Sequence, residues 1–438
     1  MNQNNKEILH LAVPSIVSNV TVPLLGLVDL AIVGHMGNAD YIGTVAVGSM
    51  IFNVIYWIFG FLRMGTSGMT SQAFGRKDET DILRLLIRSL AVAVLLGLAF
   101  IVCQQPVKWL ALTLIHPSEQ IVPLIGIYFG ICIWGAPAVL GLFSLNGWFI
   151  GMQDTRVPMF VSIVQNIVNI AVSCTLVFVF GMKIEGVALG TLIAQWSGLL
   201  MALWMKGRTF RGRFLLRSVP SETFSRQAMA RFFNVNRDIF LRTLFLVAVN
   251  LFFTSAGARQ STVIVAVNTL LMTFFTLFSY VMDGFAFAGE ALSGKYYGAK
   301  DRKNFDSTSS RLFHWGWGLV VLYTLTYALL GKPFLHLLTN EPQVLSAASL
   351  YFHWVLLIPA AGVAAFIYDG IFVGITATRG MLVSSALAAV LFFALFFALS
   401  PRWPNHALWL ALVAYLLCRG IVQWWWLRHT KRKPTFIQ

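Results

Sequence analysis

A string of apolar stretches, each about as long as a bilayer-spanning helix, constrains this chain more than any other feature. Twelve can be drawn, at 13–34, 44–64, 87–114, 121–147, 157–181, 186–205, 238–257, 263–287, 312–331, 346–370, 380–400 and 407–427. Roughly 20 apolar residues carry a helix across a hydrocarbon core. No water reaches the backbone there, so each span must satisfy its own N–H and C=O groups, and a helix does so. The charge content agrees. Only 11% of the residues are charged and 58% are hydrophobic, where an ordinary soluble domain is roughly 25% charged. A soluble enzyme, a disordered chain and a secreted scaffold are all disfavoured. The expected fold class is an all-α integral membrane protein with twelve transmembrane helices in a lipid bilayer.

Charge placement gives the topology. The 32 Lys and Arg outweigh 17 Asp and Glu, for a net +15. A basic balance can mean nucleic acid, but here the charge lies between apolar spans, so no nucleic-acid partner is expected. Loop 2–3 carries Arg76, Lys77, Arg84 and Arg88, and loop 8–9 carries Lys295, Lys300, Arg302, Lys303 and Arg311. Loop 6–7 holds Lys206, Arg208, Arg211, Arg213, Arg217, Arg226, Arg231 and Arg237, and the tail holds Arg428, Lys431, Arg432 and Lys433. The odd-numbered loops carry only Lys108, Lys183, Arg259, Lys332 and Arg402. Basic loops stay in the cytoplasm, so both termini are expected there. Trp424, Trp425 and Trp426 would anchor the last span at headgroup level. The opening MNQNNKEILH has no basic n-region or cleavage site, so no removable signal peptide is expected. Cys103, Cys132, Cys174 and Cys418 each lie in an apolar run without a C-x-x-C pair. They read as small buried hydrophobes, with no disulfide and no metal site.

The two halves match at a constant offset of 223 residues, as Gly75 stands to Gly298. Gly75-Arg-Lys-Asp78 aligns with Gly298-Ala-Lys-Asp301, and Gly147-Trp-Phe-Ile-Gly151 with Gly370-Ile-Phe-Val-Gly374. Thr155-Arg156 aligns with Thr378-Arg379, and Tyr128-Phe129 with Tyr351-Phe352. Each half then has six spans, an even number, so both enter the membrane in the same direction. This predicts two six-helix lobes, 1–205 and 238–438, related by a parallel pseudo-two-fold axis and joined by a basic linker at 206–237. Two bundles facing across a cleft can rock, and rocking is alternating access. A duplicated bundle can also be a scaffold.

Ionisable groups inside spans are costly and mark function. The short list is Asp29, Arg63, Arg242, Asp283, Glu290 and Asp369. Asp29 has apolar neighbours on both sides, and burial disfavours a charge. A carboxyl in that setting can carry a proton through a change of access, or can simply be paired with one Arg. Pro23, six residues earlier, removes a backbone hydrogen bond and can kink the span. Asn166, Asn169 and Ser173, at i, i+3, i+7, share one helical face, as do Thr191 and Gln195. These can form a polar pocket around Asp29 or make ordinary interhelical hydrogen bonds. Thr269, Thr273, Thr276, Tyr280 and Asp283 form a stripe in span 8, with Glu290 seven residues on. The stripe should face the bundle interior or the cleft. Asp283, Glu290 and Asp369 then serve a second cation site or cationic substrates, or pair with Arg242 or basic groups near the span ends. Arg63 reads as a snorkelling arginine. No G-x-x-x-x-G-K-[ST] occurs, which disfavours ATP-driven pumping, and no H-E-x-x-H, which disfavours a metalloprotease. An ion gradient is the expected energy source, with no cofactor.

Five segments carry a family resemblance. They are Val28-Asp-Leu-Ala-Ile-Val-Gly-His35, Gly75-Arg-Lys-Asp78, Gly186-Val-Ala-Leu-Gly-Thr191, Asp283-Gly-Phe-Ala-Phe-Ala-Gly-Glu290 and Asp369-Gly-Ile-Phe-Val-Gly374. In order and spacing the chain resembles the multidrug and toxic compound extrusion (MATE) transporters, and more narrowly the DNA-damage-inducible protein F (DinF) branch. The resemblance implies a twelve-helix fold of two lobes. It implies antiport of toxic, amphipathic, often cationic small molecules against H⁺ or Na⁺, and no enzyme activity; a monomer is expected. It implies that Asp29 is the first-helix aspartate on which ion coupling depends. Asn166 and Asn169 match polar positions around it, and Asp369 matches a helix 10 acid of this branch. The chain departs from many members at Ser173, where they carry a second helix 5 aspartate. The helix 7 acid of the sodium-coupled branch is missing from Asn250-Leu-Phe-Phe-Thr-Ser-Ala-Gly257. A lone carboxylate suits H⁺ better than Na⁺, although Asn and Ser oxygens can partly supply sodium's ligands. A lipid-linked precursor flippase is the rival reading, and needs an Arg- and Lys-rich cleft. A non-transporting membrane enzyme or scaffold is the third.

Overall fold

A computed structural model of the chain describes residues 3–209 and 222–432. Arg211, Arg213 and Arg217 of the linker and Lys433 of the tail lie outside the described residues, as does the side chain of Arg208. Twelve helices among the described residues are long and apolar enough to cross a membrane. They are α1 (Gln3–Gly34), α2 (Ala39–Gly75), α3 (Glu79–Val102), α4 (Val122–Gly151), α5 (Arg156–Val179) and α6 (Ile184–Lys206) in the first half. The second half has α7 (Arg226–Ala258), α8 (Thr262–Gly298), α9 (Arg302–Leu338), α10 (Pro342–Gly374), α11 (Thr378–Leu399) and α12 (Pro404–Lys431). The fold is all-α, as the apolar stretches predict.

Helix ends differ from the apolar limits because polar turns continue a helix past the hydrocarbon core. Asp78 caps α3, its side chain accepting from Asp81 N, so Arg84 and Arg88 are helical and not in a loop. Arg88 is also buried at 4% exposure, donating from Nε and Nη2 to the Thr223 carbonyl. Ser225 caps α7, so Arg226, Arg231 and Arg237, expected in the linker, belong to that helix. The third span ends at Val102, and a separate short helix, Gln104–Ile115, follows it.

The repeat is written in the backbone. Asp301 caps α9 as Asp78 caps α3, accepting from Asn304 N. Lys77 and Lys300, one residue before those caps, both have φ of 58°, in the left-handed region. Gln153 and Thr376, at the same offset, have φ of 65° and 54°. Within each lobe one glycine lets two helices meet backbone to backbone. A Cβ on Gly147 would strike the carbonyl of Arg63, and one on Gly370 would strike the carbonyl of Ala286. These are equivalent contacts, α4 on α2 and α10 on α8.

The same device closes the lobes on each other. A Cβ on Gly75 would strike the Lys295 carbonyl, and one on Gly298 would strike the Gln72 carbonyl. The two contacts exchange under the repeat, so the pseudo-two-fold axis runs between the ends of α2 and α8. Gln72 Nε2 donates to Gly374 O at 2.8 Å and to Thr376 Oγ1 at 3.1 Å. Gln153 Nε2 donates to Ala291 O at 2.9 Å. Lys295 Nζ and Tyr296 OH donate to Glu7 Oε2 at 3.1 and 2.9 Å. This end carries the basic connections and both chain ends: Lys431 Nζ donates to Asp306 Oδ1 at 2.6 Å. We refer to it as the basic end.

The helix α1 straddles the lobes. Ile8, Leu11 and Ala12 are buried in the same apolar cluster as Phe274, Phe278 and Ile358 of the second half. Ile32 and Val33, at its other end, pack with Val45, Tyr128 and Phe129 of the first half. Its opening turns therefore sit in the second lobe's core, although the repeat assigns residues 1–205 to the first.

If the glycine contacts hold the basic end shut, Gly298→Val should open it, since overpacking such a contact costs about 1–3 kcal/mol. With Ser71→Cys as reporter in a cysteine-free chain, maleimide labelling from the basic side should rise about tenfold. Ser71 is wholly buried in the wild type; unchanged labelling would show that the seal lies elsewhere.

Candidate functional site

Two polar regions lie inside the bundle. The first surrounds Asp29 on α1, which is 4% exposed. The side chains of Thr191 on α6 and Asn169 on α5 are its hydrogen-bonding neighbours. Asn169 Nδ2 donates to Thr191 Oγ1 at 3.2 Å. Asn169 and Ser173 are fully buried, one turn apart on the same face of α5. Gly190 lets α6 approach there, since a Cβ would strike Ser173 Oγ. A π-helical turn, Thr175–Val179, follows Ser173 almost directly. Asp29 Oδ1, Asn169 Oδ1 and Ser173 Oγ are all buried without a hydrogen-bond partner. No basic side chain pairs with Asp29 among the described residues. Of the two readings of this acid, permanent pairing with one Arg does not describe it.

Other residues expected near Asp29 do different work. Asn166 Nδ2 donates to the Thr21 carbonyl at 2.8 Å, joining α5 to α1 beside Pro23. Gln195 packs its amide against Gly135 of α4. Asn19 Nδ2 donates to the Tyr280 carbonyl at 3.2 Å, so Tyr280 contributes backbone to the α1–α8 junction. Pro23 thus lies just past both ties, between them and Asp29. Tyr128 and Cys132 of α4, which local spacing does not connect with Asp29, are buried within its electrostatic range.

The second region is a cavity of about 330 Å³ lined by α2, α7, α8, α10 and α12. Its charged lining is Arg63, Arg242, Asp283, Glu290, Asp369 and Arg419. Pro23, Thr191, Gln195 and Tyr280 are not part of it. Arg63 does not snorkel: its Nη1 donates to Glu290 Oε2 at 3.2 Å, linking the lobes, and its guanidinium lies 4.0 Å from the Phe287 ring centre. Asp369 Oδ2 accepts from Nη2 of Arg242 and from Nη2 of Arg419, and Oδ1 accepts from Gln423 Nε2 at 2.6 Å. Pairing, the second reading of these acids, therefore describes both Glu290 and Asp369. Asp283 has no ion pair among the described residues and is only partly buried.

The threonine stripe of α8 is satisfied by its own helix. Thr269, Thr273 and Thr276 each donate to a carbonyl four residues back. The face that lines the cavity runs instead through Met272, Phe275, Ser279, Asp283 and Glu290. Arg419 and Gln423 were the residues hardest to anticipate. Their signal is a lone arginine within Tyr415-Leu-Leu-Cys-Arg-Gly-Ile-Val-Gln423, with Tyr, Arg and Gln at i, i+4, i+8. No group of three or more His, Cys, Asp or Glu side chains comes together among the described residues.

Comparison with known proteins adds a lineage. The MatE family model matches residues 14–175 and again residues 239–397, once in each half. The chain is 37% identical over 440 residues to the DNA damage-inducible protein F of Escherichia coli, covering 100% of this chain and 95% of that one. It is 22% identical over 358 residues to a probable multidrug resistance protein, NorM, of Thermotoga maritima, covering 79% and 74% of the two chains. Among solved structures, a MATE protein in a bent conformation superposes with a TM-score of 0.88 at 18% identity, covering 98% of this chain and 96% of that one. The Vibrio cholerae MATE transporter VcmN in its bent form superposes with a TM-score of 0.84, also at 18% identity and with the same coverage.

The Asp369 cluster makes a stability prediction. Removing the acid strands two buried guanidinium groups, which costs about 3–5 kcal/mol. Asp369→Leu should lower the thermal midpoint of the purified protein in detergent, and adding Arg242→Leu should recover part of the loss. A midpoint equal to wild type in the single variant would mean that the arginines find other partners.

Proposed function

The chain belongs to the MatE family of membrane transport proteins, and on that premise we propose that it is a secondary antiporter exporting amphipathic toxic compounds, often cationic, in exchange for H⁺ by alternating access. Protonation of Asp29 is the coupling step. The observation that carries this reading is a buried carboxyl with no cationic partner among the described residues, on a helix tied to both lobes. Such a carboxyl exchanges its charge for a proton at lower cost than one held in an ion pair. The fixed pairs of the cavity, Arg63–Glu290 and Asp369 with its two arginines, are less suited to that exchange.

The positive-inside rule puts the basic end in the cytoplasm of a bacterial inner membrane. The glycine seal then faces the cytoplasm, and the lobes 1–205 and 238–438 rock about the axis between α2 and α8. In the outward-open state Asp29 takes a proton. Loss of its charge frees α1 to rearrange where Pro23 interrupts the backbone ladder. Because α1 also packs in the second lobe's core, a change in its bend reaches both lobes. The lobes then turn over, and the proton leaves to the cytoplasm. Aromatic rings of the cavity hold the apolar parts of substrates.

One observation favours Na⁺ as an alternative ion. Asp29 Oδ1, Asn169 Oδ1 and Ser173 Oγ are three buried oxygens without partners, and sodium takes oxygen ligands. The flippase reading gains Arg419 as a third arginine in the cavity. Glu290 and Asp369 already engage all three, which leaves at most one positive charge unmatched, fewer than a pyrophosphate needs.

Two measurements test the coupling. In proteoliposomes, efflux of ethidium driven by an imposed H⁺ gradient should fall at least about tenfold in Asp29→Asn, with the thermal midpoint retained. Unimpaired proton-driven efflux by that variant would sink the role of Asp29. Ser173→Asp should raise the response to an imposed Na⁺ gradient, by adding a carboxylate beside the unpartnered oxygens. An unchanged Na⁺ response would remove Ser173 as the determinant of ion choice.

A further inference from the structure

We propose that the cavity between the lobes holds the acidic group of an anionic amphiphile on Arg242 and Arg419, and that Asp369 occupies this position when no ligand is bound. The ratio of charges is the first ground. Two guanidinium groups converge on one carboxylate, and both use the same oxygen, Asp369 Oδ2. That cluster carries one positive charge in excess. Its donors are also under-used: Arg242 Nε and Arg419 Nε are buried with no partner. Arg242 and Arg419 are 8% and 5% exposed, yet both line the cavity. An unpartnered buried donor is costly, and a guanidinium pair set side by side matches a carboxylate, sulfonate or phosphate.

A cation would meet the opposite situation. Asp369 already accepts from three donors, so a cation reaching it must displace at least one arginine. Arg63 is matched by Glu290 at 3.2 Å and adds no free charge of either sign. Asp283 is the acid left over, on the α8 wall within the field of Arg63, Arg242 and Arg419. It makes no ion pair with either arginine among the described residues, so Asp369 is the carboxylate that a ligand's acidic group must displace. Phe253 and Phe275 line the same cavity and suit an aromatic or aliphatic tail. Among the amphipathic compounds proposed above this selects the anionic ones rather than the cationic ones, for this cavity, and it rests on the cavity being where substrates bind. Binding itself does not depend on which ion drives transport.

The test uses the purified full chain in nanodiscs and two probes with the same ring system and chain length, pyrenebutyrate and the matching pyrenyl trimethylammonium. Binding is read by fluorescence with empty nanodiscs subtracted. The acid should bind about tenfold tighter than the ammonium. Arg419→Gln should weaken the acid about tenfold and leave the ammonium unchanged. Asp369→Asn, which removes the internal competitor, should strengthen the acid, and the acid should raise that variant's thermal midpoint more than the wild type's. Equal or tighter binding of the ammonium by wild type would overturn the proposal, as would weaker acid binding in Asp369→Asn. If neither variant folds, the wild-type preference decides alone. Loss of proton-driven efflux in Asp29→Asn leaves this preference untouched, so the two readings fail separately.

Discussion

A charge carried into hydrocarbon must find a partner, and that requirement orders the interior of this molecule. Three arginines and two acids lie deep within the bundle and are bound to one another: Arg63 to Glu290, and Arg242 with Arg419 to Asp369. Every one of these pairs joins different helices, so the need for a partner is also a constraint on which helices meet. Arg63–Glu290 ties α2 to α8 across the lobes, while the Asp369 cluster ties α7, α10 and α12 within one. Asp29 stands outside this arrangement. Its neighbours are neutral, and its charge is balanced by no basic group among the described residues.

The contrast separates two roles that composition alone would merge. Groups whose charge is fixed by a partner build the wall of a cavity. A group with neutral neighbours keeps its protonation open to the conditions around it. The helix bearing it is embedded at one end in the second lobe, through Ile8 and Leu11, and at the other in the first, through Ile32 and Val33. The change in charge proposed for Asp29 would thereby fall on a helix that packs into both lobes.

Much of this was legible in the residues. Apolar length marked the twelve helices, and the offset between Gly75-Arg-Lys-Asp78 and Gly298-Ala-Lys-Asp301 marked the duplication. Helical spacing put Asn169 and Ser173 on one face, and Thr191 proved to be the partner of Asn169 across to α6. Asn166 shares the face by count but not the destination, because a helix face is wide and one turn of displacement brings it to α1. The threonines of α8 misled for a related reason. A hydroxyl can satisfy itself on the carbonyl one turn back, so its presence says little about which side faces the interior. The Asp369 cluster was legible only in part, since pairing with Arg242 could be foreseen but Arg419 and Gln423 could not. Contacts between helices far apart in sequence leave no local spacing to read. The helix ends also escaped hydropathy, because Asp78 and Ser225 start their helices outside the apolar windows.

The exchange of Gly75 on the Lys295 carbonyl for Gly298 on the Gln72 carbonyl has the form of an isologous interface, the kind found between identical subunits, here enclosed in one polypeptide. In such an interface each half is both donor and acceptor of the same fit. A motion that keeps the symmetry loosens both contacts together. Under the rocking motion proposed above, the basic end would release both contacts in one step. Each lobe's freedom to vary at this point is bound to its twin: a residue too large on either side spoils a surface shared by both, which ties the two halves of the duplicated chain to a common history.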